Sequence, residues 1–286
     1  MISGKKGVFP KLRAINRQSK VAMGIQFLDR NIKLPTSSDE ITSRFKKDQW
    51  LMTDAERSAL TALLSKLRPM CSIEIGTYEA GSLGTISRFC KHVYTIDIDP
   101  AFRDLYGEKF PNVEFIVGKS EETLPPLLEK IQKSGEPLGF VLIDGDHSEN
   151  VIRHDIENVL RYIPAQPLYM IVHDSFNPDC RRGILTANWQ SNPYVHMLEV
   201  DYIVGRFISK EEGHYHRQMW CGFALAVLLP EPRTGDILIH QNEFLMFQTA
   251  YWRSVHPYQK VKNPFVLLTV LKRKLKSKIK GLRYGS

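Results

Sequence analysis

Five short apolar runs, CSIEIG (71–76), HVYTIDID (92–99), VEFIVGKS (113–120), FVLIDGDH (140–147) and LYMIVHDS (168–175), alternate with segments of helical period. No other feature of the chain restricts its fold as much. Each run has the near-continuous hydrophobicity of a strand covered on both faces, not the alternation of a strand with one wet face. Between them, residues 100–110 open with Asp99 as N-cap and Pro100 at the first helical position. Residues 121–134 set Leu124, Leu127, Leu128 and Ile131 on one side and stop at Gly135. Ser148 is placed to cap a helix striped by Ile152, Ile156, Val159, Leu160 and Ile163. Upstream, the capping box Thr53-Asp-Ala-Glu56 starts a helix that carries Leu60, Leu63, Leu64 and Leu67 and ends before Pro69. Strand and helix alternating in this way predict βαβ units and a parallel, doubly wound α/β sheet. Two further runs, VDYIVGRF (200–207) and GFALAVLL (222–229), have no clear helix between them and are predicted to pair as a terminal hairpin.

Nothing in the chain approaches the roughly 18–20 apolar residues that span a bilayer, and the N-terminus lacks the apolar core of a secretion signal. Cys71, Cys90, Cys180 and Cys221 are scattered without CxxC pairing, which suits reduced, buried thiols in a cytoplasmic protein. The net charge of +8 gathers at the two ends, while the middle is close to balanced. A basic tail attracts any polyanion, so it is weak grounds for specific nucleic-acid binding. The expected organisation is an N-terminal docking segment or lid (1–50), a ligand-binding domain (51–230) and a basic C-terminal extension (231–286). Within that extension, Phe265, Leu268, Leu271, Leu275, Ile279 and Leu282 share one helical side, with lysines elsewhere. Such a segment can lie on the anionic inner membrane face, pack on its own domain or join a homo-oligomer.

In a doubly wound sheet, ligands bind beyond the carboxyl ends of the strands. Glu74, Asp97, Ser120, Asp144, His147, His173 and Asp174 all accumulate at those ends. The first turn, EIGTYEAGSLG, has glycines at 76, 81 and 84 that let a bound group approach the backbone. The gap from Gly76 to Gly81 is too long for the GxGxxG turn of a dinucleotide site. Glu74 gains nothing against a diphosphate and suits a ligand with a positive amino group. Asp97 ends the second strand, where a carboxylate can accept from both hydroxyls of a ribose; Asp99 is accounted for as a helix cap. Ser120 either faces an adenine or caps the next helix.

EIGTYEAGS, TIDIDP, VLIDGDHS and IVHDSFNP, at this spacing, resemble class I S-adenosylmethionine-dependent methyltransferases, in the branch of sugar and macrolide O-methyltransferases and cephalosporin-hydroxylase-like proteins. The resemblance covers roughly residues 50–230. It implies a Rossmann-like seven-stranded sheet with helices on both faces and an antiparallel last strand. It also implies that Glu74 lies near the methionine end of S-adenosylmethionine, that Gly76, Thr77, Gly81 and Ser82 wrap it, and that Asp97 holds its ribose, with Ser120 and Asp144 completing the cofactor site.

Methyl transfer to an aliphatic hydroxyl needs an aligned acceptor and a base, a metal, or both. Asp144 and Asp174 end strands that neighbour each other in a 3-2-1-4-5 order, and two carboxylates there suit Mg²⁺. His147 is the candidate base. In the branch resembled, an Asp-x-x-His pattern supplies a metal ligand and the base, and a pair of acids after the next strand completes the metal site. Asp144-Gly-Asp-His147 matches that pattern, whereas His173 stands where the first acid of the pair is expected. A histidine among the ligands Asp144, His173 and Asp174 shifts preference from Mg²⁺ toward Mn²⁺. Arg181 and Arg182 either grip an anionic acceptor or begin a solvated helix. The resulting expectation is an O-methyltransferase acting on a hydroxylated small molecule, a sugar or glycoside. The alternatives are a nicotinamide-dependent oxidoreductase and a nucleic-acid methyltransferase, the latter disfavoured because Asp-Gly-Asp-His replaces the Asn/Asp-Pro-Pro-aromatic turn.

Overall fold

A computed structural model describes residues 51–208 and 215–259. The expected N-terminal segment, 1–50, and the basic amphipathic stretch of 264–286 lie outside these residues. The order of elements is α1 (Asp54–Leu67), β1 (Cys71–Ile75), α2 (Gly81–Phe89), β2 (His92–Asp97), α3 (Pro100–Tyr106) and β3 (Val113–Val117). Next come α4 (Ser120–Ser134), β4 (Leu138–Ile143), α5 (Glu149–Val159), β5 (Leu168–His173) and α6 (Pro178–Thr186). The chain goes on through β6 (Val195–Ile203), β7 (Arg206–Phe207), β8 (Met219–Trp220), β9 (Phe223–Leu228), β10 (Leu238–His240), α7 (Phe244–Arg253) and α8 (His256–Gln259).

Local signals act largely as the sequence predicts. The Thr53 hydroxyl accepts from the Glu56 amide while the Glu56 carboxylate accepts from the Thr53 amide, closing the capping box of α1. Asp99 caps α3 through the Ala101 amide at 2.9 Å, and Gly135, at φ +73°, ends α4. The start of α5 differs. Ser148 occupies the N-cap position without a side-chain capping bond, and Asp146 accepts from the Ser148 amide instead. Ile163 falls beyond the end of α5 and is exposed.

The main sheet has eight strands, in the order β10-β6-β9-β5-β4-β1-β2-β3. Seven were expected. The eighth, β10, pairs in parallel with β6, so the sheet runs on past residue 230; at three residues it is too short for periodicity to register. Strand β9 is the antiparallel member and inserts between β5 and β6. The predicted pairing of 200–207 with 222–229 holds, but the chain turns off at Val204-Gly205 into a separate two-stranded ribbon, β7 with β8.

Strand alternation divides the apolar side chains between two layers. Cys71, Ile73, Ile75, Val141 and Ile143 pack toward α4, α5 and α6; Phe140, Leu142 and Ile171 pack toward α1, α2 and α3. Phe140 is fully buried, and burying such a side chain stabilises by about 2–3 kcal/mol. All four cysteines are free and buried. Among the described residues, no helix is long and apolar enough to cross a membrane.

The strand order reverses between β1 and β4, the switch point where an open α/β sheet forms a crevice. The two tips are stitched there: the Asp144 amide donates to the Ile75 carbonyl at 2.8 Å. Gly76, at φ +92°, follows directly, and a Cβ on it would lie 2.2 Å from the Asp144 carbonyl oxygen. This glycine serves the closure of the protein's own backbone before it serves any ligand. Gly76→Ala combines that clash with a left-handed backbone, so its urea midpoint is expected to drop by the equivalent of about 2–4 kcal/mol; an unchanged midpoint would show that the two tips can part freely.

Candidate active site

The carboxyl ends of β1 to β5, the α1 entry and the β7–β8 ribbon surround a cavity of ≈ 1090 Å³. Of the residues marked in the sequence, Gly76, Thr77, Gly81, Ser82, Asp97, Ser120, Asp144, His147, His173 and Asp174 all line it; Glu74 does not. Ile98, Phe102 and Tyr78 add apolar walls beside Asp97. Ser120 is the first residue of α4, one past its N-cap position at Lys119, so its hydroxyl is not the helix cap.

Asp97 holds the first turn in place. Its Oδ2 accepts from the amides of Thr77 at 2.8 Å and Tyr78 at 3.0 Å, and its Oδ1 accepts from the Asp99 amide at 2.9 Å. These bonds support two non-glycine residues in left-handed backbone, Tyr78 at φ +41° and Ala80 at φ +61°, a conformation that costs roughly 1–2 kcal/mol per residue. Tyr78 is exposed and meets Phe102 edge-on at 5.8 Å.

Glu74 faces the other way. On β1 it alternates with Ile73 and Ile75 and points toward α2, where the Ser82 hydroxyl donates to it at 2.6 Å and the Thr95 hydroxyl at 2.8 Å. The Thr77 hydroxyl joins Thr95 at 2.6 Å, so the carboxyl braces the glycine turn from behind. Sequence placed it against a cofactor amino group; the strand's pleat buries it beneath the turn instead. Burial pushes its pKa up to about 8, more than the two hydroxyls can offset.

At the far end of the cavity stand Asp144, His147, His173 and Asp174, with one donor atom from each all within 4.8 Å of one another. His173 is buried, its Nδ1 2.6 Å from Asp144 Oδ1 and its Nε2 3.1 Å from Glu56 Oε1. Both ring nitrogens face carboxylates, so both carry protons. Burial by itself would lower the His173 pKa, but Asp144 and Asp174 outweigh it and hold the ring well above its ordinary value. Burial likewise raises Asp144, and the two imidazoles reverse the sign, leaving it below the usual carboxylate range. His147 is the exposed member, with Nε2 2.9 Å from Asp174 Oδ2 and 3.9 Å from Asp144 Oδ1. Those carboxylates overcome its desolvation and push it up to about 10. Asp174 sits at φ +55° and accepts from the Cys221 amide.

Glu56 is the participant that sequence reasoning missed. Fully buried, it accepts from the Thr53 amide and hydroxyl on one oxygen and from the Gly222 amide, at 2.6 Å, and His173 on the other. Its helix-capping role was legible and explained it completely, so nothing pointed to a second one. Arg181 and Arg182 are not placed to grip an acceptor. Arg181 is buried in a two-point ion pair with Asp201 at 2.7 and 3.2 Å, and Arg182 pairs with Glu149 and Asp179.

The donor chemistry at the tetrad fits a divalent cation, with two carboxylates and an imidazole edge facing the cavity. His173 is the exception within that set. Its nitrogens are committed to Asp144 and Glu56, so Asp144, Asp174 and His147 are the donors left for an ion.

Residues 73–175, from β1 to just past Asp174, match the family model described as a methyltransferase domain. The match takes in the strands on both sides of the switch-point crevice and the tips that carry Asp97, Asp144 and Asp174. No curated protein matches the chain. Among solved structures the chain is similar to cofactor-bound Rv0187 from MTB, with 22% identity, 63% of this chain and 82% of that one covered, and a TM-score of 0.45. It is also similar to the Bacillus cereus O-methyltransferase in complex with SAH (16% identity, 69% and 93% covered, TM-score 0.46). A third similar structure is the Streptomyces achromogenes O-methyltransferase TomG in complex with SAM (14% identity, 63% and 82% covered, TM-score 0.46).

Two stability measurements test this geometry. Because Glu74 keeps its proton to about pH 8 while the unfolded chain releases it near the ordinary 4.5, folding stability should fall as pH rises between those values. Glu74→Gln should flatten that fall, and a parallel slope in the variant would mean the carboxyl is ionised when folded. Glu56→Ala should lower stability by about 3–5 kcal/mol by leaving a buried imidazolium and two amides without their acceptor. Glu56→Gln keeps one acceptor oxygen, so with the capping box retained its NH₂ meets the Gly222 and His173 donors and at most part of the loss should be recovered; a wild-type urea midpoint in Glu56→Gln would show that the His173 side of the carboxylate contributes nothing.

Proposed function

We propose that this domain is an S-adenosylmethionine-dependent O-methyltransferase acting on a hydroxyl of a sugar or glycoside with the help of Mg²⁺ or Mn²⁺. One observation supports the reading: a single cavity has Asp97 at one end, where a carboxylate can accept from a ribose diol, and the Asp144–His147–Asp174 group at the other, where an acceptor hydroxyl would meet a base. S-adenosylmethionine supplies the methyl group on a sulfonium, whose positive charge suits a cavity whose charged lining is mostly acidic.

The chain's own residues then have three tasks. Asp97 anchors the ribose while its bonds to Thr77 and Tyr78 hold the glycine turn in shape. Ile98 and Phe102 flank the base, with the Ser120 hydroxyl nearby at the start of α4. His147 takes the proton of the acceptor hydroxyl at the ring nitrogen not bonded to Asp174, which requires the ring to be neutral. With the carboxylates uncompensated it keeps its own proton up to about pH 10. A divalent ion held by Asp144 and Asp174 would withdraw the negative charge that keeps His147 protonated and would acidify the acceptor hydroxyl. His173, clamped by Glu56, keeps Asp144 ionised throughout.

Calorimetry tests this without a known acceptor. S-adenosylhomocysteine should bind the wild type, and Mn²⁺ added at pH 8 should release a fraction of a proton approaching one, read from titrations in buffers of different ionisation enthalpy. His147→Ala should abolish the release and leave S-adenosylhomocysteine binding intact. With an acceptor in hand, the same variant should slow methyl transfer by about 10²–10⁴-fold. Buffer-independent heats in the wild type would take His147 out of the role given to it.

A further inference from the structure

The ribbon β7–β8 closes the cavity on the side of His147, and its composition is unlike the rest of the lining. Arg206 and Trp220 are directly opposed in the antiparallel ladder, so their side chains stand on the same face, and both line the cavity. Trp220 meets the His147 ring edge-to-face at 5.4 Å. An indole surface and a guanidinium therefore sit beside the imidazole assigned to the acceptor proton.

This wall is built in. Its approach is allowed by Gly205, where a Cβ would lie 2.4 Å from the Phe176 Cβ and 2.5 Å from the carbonyl oxygens of Trp220 and Cys221. The ladder is extended by Ile208 donating to the Gln218 carbonyl and Arg217 to that of Ile208. Behind it, the Met219 amide is held by His256 at 3.2 Å and the Arg217 side chain by the Arg253 carbonyl at 2.7 Å.

Histidines aside, the charged groups lining the cavity are acidic except Lys119 and Arg206. Lys119 lies 3.8 Å from Glu121. Arg206 is exposed and has no ion-pair partner among the described residues. A cation kept apart from so many nearby carboxylates is poised for an anion brought from outside, and a guanidinium fork matches carboxylate or phosphate oxygens in pairs. The indole beside it offers a flat apolar face of the kind that covers a sugar ring.

Building on the methyltransferase reading, we propose that the β7–β8 ribbon is the acceptor wall and selects an acidic sugar, with Arg206 pairing its carboxylate or phosphate and Trp220 covering its ring beside His147. The test uses protein loaded with S-adenosylhomocysteine and Mn²⁺, titrated calorimetrically with methyl β-D-glucuronide, methyl β-D-glucoside 6-phosphate and the neutral methyl β-D-glucoside. One of the acidic probes should bind at least about tenfold more tightly than the neutral one, and which of them does identifies the anion. Arg206→Gln should bring all three to the neutral level with S-adenosylhomocysteine affinity unchanged, and Arg206→Lys should retain only part of the preference. Equal binding of charged and neutral probes, a preference that survives Arg206→Gln, or no binding of either acidic probe overturns the proposal while leaving the methyltransferase reading in place. So does a loss of S-adenosylhomocysteine affinity in Arg206→Gln, which would put the guanidinium at the cofactor end. Failure of the wild type to bind S-adenosylhomocysteine overturns the functional reading and this proposal with it.

Discussion

A charged imidazole in an apolar interior is penalised by desolvation, and so is each carboxylate beside it; the pair persists only because each offsets the other. His173 is that imidazole. Glu56 on α1, Asp144 after β4 and Asp174 after β5 converge on it, and the Gly222 amide before β9 shares the Glu56 oxygen that His173 meets. Four segments far apart in the chain are thereby drawn to one point. The cavity takes its shape from that convergence: with His173 holding one side of Asp144, the remainder of that carboxylate and the exposed His147 are what a ligand would meet.

Two carboxyls at neighbouring strand positions show how much the partner decides. Glu74 and Asp144 both suffer desolvation. Glu74 has two hydroxyl donors and ends up protonated to about pH 8; Asp144 has two imidazoles and stays ionised. Neutral hydrogen bonds do not balance the loss of water around a buried charge, whereas a neighbouring cation does. The first group therefore serves as a strut under the glycine turn, and the second stays an ionised edge of the cavity.

The same reasoning makes sense of the cavity's charge. Its charged lining is acidic around Asp97 and the tetrad, as a cationic methyl donor would favour; of its two basic residues, Lys119 lies beside Glu121 and Arg206 is brought in by the ribbon. The ribbon is an interruption between β6 and β9, placed by Gly205 and held by residues of α7 and α8. Under the proposed function, the sheet recognises the donor and this interruption recognises the acceptor. Such a fold can keep its chemistry while changing its substrate.

Much of this architecture is legible in the amino-acid sequence. The five strand tips, the caps at Thr53 and Asp99, the Gly135 stop, Asp97 in the cavity and the grouping of Asp144, His147, His173 and Asp174 follow from patterns within a few residues of each position or from the known geometry of a doubly wound sheet. Local sequence determined these because periodicity, capping and turn chemistry are local physics. Only the tertiary structure decided the partners. Glu56 lies 117 residues from His173 and 166 from Gly222, Arg181 is neutralised by an aspartate 20 residues on, and Glu74 turns inward on the pleat. Whether a charged side chain meets a ligand or another part of its own chain depends on which distant segment arrives beside it, and that is settled by packing, not by neighbours in sequence.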